Sequence, residues 1–149
     1  MKVFCRLMLG ILLVTFLPAC ATQVPVKEPV PDEAVRFQVT GEGLVADTRK
    51  GLMWAPAPDH DVDWYQAEEY VKSLQLGGYT DWRLPTLDEL KSLYLQEKAL
   101  TALRFSKWAW TSNVAGQDAW LFNFEYGVEF TDTLIDSRTN RVLPVRALK

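Results

Sequence analysis

Asp59, Asp61 and Asp63, in the stretch DHDVD, stand at the first three ligand spacings of a calcium-binding loop. Such a loop needs glycine at its sixth position for the sharp turn and a bidentate glutamate at its twelfth. Here those places hold Trp64 and Tyr70, so an EF-hand is excluded. His60 is the only histidine, and the chain has two cysteines, Cys5 and Cys20. One imidazole with no thiolate beside it does not make a zinc site. Ser-His-Asp chemistry would need a nucleophile that no motif supplies, so His60 is expected in solvent. No metal or other cofactor is expected.

Two further clusters could contact a ligand. Trp110, Ser112, Asn113, Trp120, Asn123 and Glu125 put aromatic faces beside amide and carboxylate groups, a combination that suits sugars or peptides. The competing reading is core for the aromatics and hairpin surface for the rest. In DWRLPT, Arg83 next to Trp82 and Asp81 could bind an anion, because a planar guanidinium fits carboxylate or sulfate. A buried joint explains the same residues better. Trp82 is large enough to fill a core, Pro85 fixes the backbone, and Thr86 and Glu89 have capping-box spacing. Asp81, Trp82, Arg83, Pro85, Thr86 and Glu89 are therefore expected to be structural.

The start of the chain sets its compartment. Lys2 and Arg6 flank the beginning of the apolar run LMLGILLVTFLPA, which is too short to remain as a comfortable span and reads as a signal peptide. LPAC, Leu17 to Cys20, resembles a bacterial lipobox, which makes Cys20 the expected site of acylation, palmitate included. Ala21 follows where Asp would retain the protein in the inner membrane, so the outer membrane is expected. The domains expected are a lipoprotein signal peptide at 1–19, a Pro-rich tether at 20–35 and a folded domain at 36–149. Pro25, Pro29 and Pro31 favour an extended tether, at about 3 Å per residue. Pairing of VPVKEPV as an edge strand is the alternative. Loss of residues 1–19 removes Lys2 and Arg6 and no acid, taking the net charge from −3 to −5 and disfavouring nucleic acid as a partner. The mature domain then has no free thiol and must be held by packing, for which 48% hydrophobic residues and six tryptophans provide the material.

Periodicity gives the elements. RFQVTGEGLVADT reads as two short strands around Gly41 to Gly43, and GLMWA as a third. Asp63 can cap a helix with Trp64, Ala67, Val71 and Leu74 on one face, and Thr86 opens a second with Leu87, Leu90, Leu93 and Tyr94 inward. AWTSN and AWLFNFEYGVEF return to strands. In the latter, Trp120, Phe122, Phe124 and Tyr126 alternate with Leu121, Asn123 and Glu125, which predicts one buried aromatic face. RVLPVRAL supplies a last strand, with Pro144 suited to an edge. The expected class is α+β, two helices packed on a twisted antiparallel sheet.

LVADTRKGLMW, DWYQAEEYVKSL, GGYTDWRLPTLDELKSLY, WAWTSN, AWLFNFEYGVE and VLPVRAL, in this order, resemble the C-terminal domain of the collagen-like adhesin of Legionella over about residues 36–149. The resemblance implies a C-type-lectin-like or sulfatase-modifying-factor-like fold and a role in adhesion. The family tends to end in two closely spaced arginines; here Arg141 is displaced from Arg146, and no collagen-like repeat precedes the domain. TSN, GQD and NFE offer oxygen donors without the usual lectin calcium tripeptides. Sulfatase-modifying relatives use cysteine thiols, which the mature domain lacks, so no enzyme is expected. The function expected is a non-catalytic envelope lipoprotein that binds a glycan, a peptidoglycan fragment or a protein partner. The alternatives are an envelope enzyme, a sulfatase-modifying relative or a hydrolase, and a structural subunit of an envelope assembly.

Overall fold

Glycines and turn residues interrupt the chain every few positions, so its first strands are only three residues long. In the computed structural model, which describes residues 36–149 apart from 106 and 136–138, β1 (Phe37–Val39) and β2 (Val45–Asp47) flank a 3-10 turn at Gly41–Gly43. Cys20 and the segments expected to be a signal peptide and a Pro-rich tether lie outside the described residues. The chain continues through β3 (Leu52–Trp54), α1 (Trp64–Ser73), α2 (Leu87–Leu93) and α3 (Glu97–Leu103). It then forms β4 (Trp108–Ala115), β5 (Asp118–Asn123), β6 (Val128–Thr133) and β7 (Val145–Ala147).

The class is α+β, with two antiparallel sheets: one of four strands in the order β1-β2-β3-β7 and one of three in the order β4-β5-β6. Two expectations are corrected here. There are three helices and two sheets, where two helices on one sheet were expected. The aromatic strand is also buried on both sides: successive residues of a strand face opposite ways, and Leu121 and Phe122 are each 2% exposed. Phe122 joins a core with Trp54, Leu90, Leu93 and Leu103. Leu121 joins a second core with Met53, Val71, Trp82 and Trp110. α2 and α3 close the first core and α1 closes the second, so a strand pattern of nearly continuous apolar residues is what this architecture needs.

Both predicted helix starts form capping boxes. The Asp63 carboxylate accepts the Gln66 N–H at 2.8 Å while Gln66 Oε1 accepts the Asp63 N–H at 3.0 Å. Thr86 Oγ1 accepts the Glu89 N–H at 3.3 Å and Glu89 Oε2 accepts the Thr86 N–H at 2.8 Å. Each cap satisfies donors that the first turn leaves without intrahelical partners, an effect of about 1 kcal/mol.

DWRLPT joins the two sheets. The Arg83 N–H donates to the Val145 carbonyl at 2.9 Å and the Val145 N–H to the Arg83 carbonyl at 3.0 Å, which occupies the outer edge of β7. Two residues later the Pro85 carbonyl accepts the Ser112 N–H of β4 at 2.8 Å. Between these anchors Trp82 and Leu84 enter the second core, 4% and 1% exposed. The Arg83 guanidinium turns outward to Glu89, with Nη1 at 2.8 Å from Oε2 and Nη2 at 2.6 Å from Oε1. Burial raises the pKa of Glu89, but its hydrogen bonds from Arg83 and the Thr86 amide outweigh that and hold it below its ordinary value. One carboxylate thus completes both a helix cap and an ion pair.

Candidate functional site

Of the six residues read from the sequence as ligand contacts, two are enclosed. Trp110 is fully buried and its indole N–H donates to the Val62 carbonyl at 2.9 Å. Asn123 is 2% exposed, and its Oδ1 accepts the N–H groups of Glu125 and Tyr126 at 2.7 and 2.8 Å, shaping the turn between β5 and β6. Ser112 and Asn113 are exposed on β4, where Asn113 Oδ1 accepts the Leu87 N–H at 2.9 Å and caps the start of α2. Trp120 is half-buried and Glu125 exposed. The six do not converge on one surface.

The two C-terminal arginines are also apart. Arg141 pairs with Asp61 at 3.1 Å and Asp59 at 3.4 Å, while Asp63 is committed to capping α1, so the three aspartates of DHDVD serve two different purposes. Arg146 is buried against Tyr79, 3.8 Å above its ring, and forms a forked pair with Asp81 at 2.7 and 3.2 Å. The hydrogen bond from Arg146 lowers the Asp81 pKa to about 2 from the ordinary 3.8. Because the folded value is depressed, the stabilisation is complete above pH 3.8 and is lost as the pH falls through about 2. Urea midpoints measured from pH 5 down to 2 should therefore fall less steeply for Asp81→Asn than for the wild type. Equal slopes would remove the pair from the acid response.

The surface that gathers side chains into a concavity lies elsewhere, between α3 and the β5–β6 turn. It is an open groove of about 910 Å³, against about 350 Å³ for the hollow beside Tyr79 and Arg146. Glu97, Leu100 and Thr101, at the i, i+3, i+4 spacing of a single helix face, and Arg104 at the C-terminal cap line one wall. Tyr94, Phe105, Phe124, Lys107 and Glu125 form the rest with Leu95. Beneath it the rings stack edge to face, Tyr94 on Phe122, Phe122 on Phe124 and Phe124 on Phe105, with centroids 5.1 to 5.6 Å apart. Gly127 makes this possible: a Cβ there would lie 2.4 Å from the Tyr94 ring, and its φ of +69° suits glycine in any case. The neighbouring Glu125 carboxylate raises the Tyr126 pKa.

Arg104 and Lys107 have no carboxylate partner among the described residues. Among the described residues no group of three or more His, Cys, Asp or Glu stands where it could hold a metal ion. Of the groove residues only Glu125 was read from the sequence as a ligand contact. The helical stripe from Glu97 to Thr101 is the signal that would have found the wall.

Fold and groove together define a small α+β domain with an open groove of mixed charge over an aromatic floor. The sequence matches the Lcl C-terminal domain family over residues 43–146, more than half the chain, and the chain belongs to that family. A search of curated proteins returns no match.

Proposed function

We propose that this is a non-catalytic cell-envelope lipoprotein whose domain binds a glycan, a peptidoglycan fragment or a protein partner in the groove along α3. The observation that carries the reading is the pair Arg104 and Lys107, without a carboxylate partner among the described residues, beside the half-buried Tyr94 and the apolar Leu100. Cations without ion partners on an aromatic-floored concavity are what a binding surface for a polar ligand requires. Anchoring through lipid on Cys20, toward the outer membrane, rests on LPAC and the apolar run before it. The tether after Cys20 would hold the groove near the bilayer, facing the periplasm or the exterior.

Pull-down from native envelopes tests the reading. The wild-type chain should retain a saturable partner that the Arg104→Glu, Lys107→Glu double variant loses, with an unchanged melting temperature. Turnover of a substrate that disappears with a groove substitution would replace the binding reading with an enzyme. Cys20→Ser should release the chain from membranes, and continued membrane association would remove the anchor.

A second reading, a subunit of an envelope assembly, has its own support. β6 is the edge strand of its sheet, and Val128 and Phe130 on it are 48% and 64% exposed. Loss of an envelope complex in Phe130→Asp, with groove binding intact, would favour it.

A further inference from the structure

α3 carries Glu97 and Lys98 in its first turn, and of these Glu97 lines the groove. Arg104 stands at its C-terminal cap, with Leu100 and Thr101 between the two on the same face as Glu97. Seven residues at the helical rise separate the two ends by about 10 Å. An acid at a helix start and a base at its end are favoured by the macrodipole alone. Lys107 is outside the helix and doubles the positive end without that reason. Neither Glu97, Arg104 nor Lys107 has an ion partner among the described residues.

Backbone conformation points to the same place. Among the described residues three that are not glycine have positive φ: Glu42, Leu95 and Arg104. Two of the three line this groove, at φ +65° for Leu95 and +55° for Arg104. Side chains with a Cβ are disfavoured there, and the position after a helix ordinarily takes glycine or asparagine. Leu95 is moreover 77% exposed, so the strain does not serve the core. Both turn the chain at a helix end, Leu95 just after the α2 cap Tyr94 and Arg104 as the α3 cap whose N–H donates to the Leu100 and Thr101 carbonyls, and in doing so they place both side chains on the groove.

We infer that the groove takes a short extended peptide with free ends, its amine at Glu97, its carboxylate at Arg104 and Lys107, and an apolar first side chain against Leu95 and Tyr94. The inference rests on the binding reading above and names its ligand class. About three residues of extended chain span the 10 Å between the two backbone positions that carry these groups.

Calorimetric titration of the intact chain with the tripeptide Leu-Ala-Ala, its N-acetyl form and its C-terminal amide tests it. Each blocked form should bind about tenfold more weakly than the free peptide, as loss of a charged hydrogen bond predicts. Glu97→Gln should erase the discrimination against acetylation, and Arg104→Gln combined with Lys107→Gln the discrimination against the amide. Leu95→Gly should weaken all three peptides while raising the melting temperature by about 4 °C, because glycine relieves the left-handed backbone. Absence of binding, equal binding of free and blocked peptides, or an unchanged or lower melting temperature for Leu95→Gly would overturn the inference. If the peptide series fails while envelope capture still needs Arg104 and Lys107, the peptide class falls and the binding reading stands. If envelope capture ignores both cations, the two fall together.

Discussion

Trp110→Ala is expected to destabilise the domain by about 4 kcal/mol, the cost of removing a large, fully enclosed aromatic side chain and leaving the space behind. Trp110 has no exposed surface and packs with Met53, Val71, Trp82 and Leu121 in the core closed by α1. Its indole N–H also supplies the donor for the Val62 carbonyl, in the loop that leads into α1. The alanine variant therefore loses packing and strands a carbonyl together. Trp110→Phe separates the two effects: most of the ring remains and the donor goes, so the loss should be about 1 to 2 kcal/mol. Urea unfolding followed by circular dichroism measures both. A ligand-contact role for Trp110 predicts the reverse, a nearly unchanged midpoint with binding lost.

Trp110 also shows where sequence reasoning reached and where it stopped. Capping boxes at Asp63 and Thr86 were legible because a side chain and a backbone amide three residues apart must meet once a helix starts. The first three strands were legible from glycine punctuation, and the joint at DWRLPT from its proline and capping residues. α3 was not legible, since its N-cap is Gln96 with no side-chain hydrogen bond and its C-cap is Arg104 where glycine would have announced an end. Without α3 the groove has no wall, so its residues could not be gathered from the sequence. The alternation in AWLFNFEYGVEF correctly implied a strand but not its surroundings. Period two says which residues share a face, and only the second sheet face with α1 behind it decides that Leu121 and Trp110 are also enclosed.

Asp47→Ala is expected to cost about 3 kcal/mol, through the charge it leaves behind more than through any contact it removes. The Asp47 carboxylate has no exposed surface. It accepts Nε and Nη2 of Arg36 at 3.0 and 2.7 Å and, through Oδ1, the N–H groups of Arg49 and Lys50 at 3.1 Å each, so it fixes the turn from β2 to β3 as well as the ion pair. Without it the Arg36 guanidinium, 13% exposed, keeps among the described residues only the Ser92 carbonyl at 3.1 Å and the Phe37 ring 4.4 Å away. Neither carries a compensating charge, and two amides lose their acceptor. Asp47→Asn retains an acceptor but not the charge and should cost less, about 1 to 2 kcal/mol. Pairing these with Arg36→Ala in a double-mutant cycle should give a coupling of at least about 1 kcal/mol, and additive effects would dissolve the pair as a unit. Arg36 is where the segment read as a tether meets the domain, and through Ser92 it is tied to α2, immediately before the Tyr94–Leu95 rim of the groove. Asp47→Ala should therefore loosen amide-exchange protection around β1 and the end of α2 before it affects β5. Uniform loss of protection across both sheets would show instead that the domain unfolds as one block and that the pair has no local role.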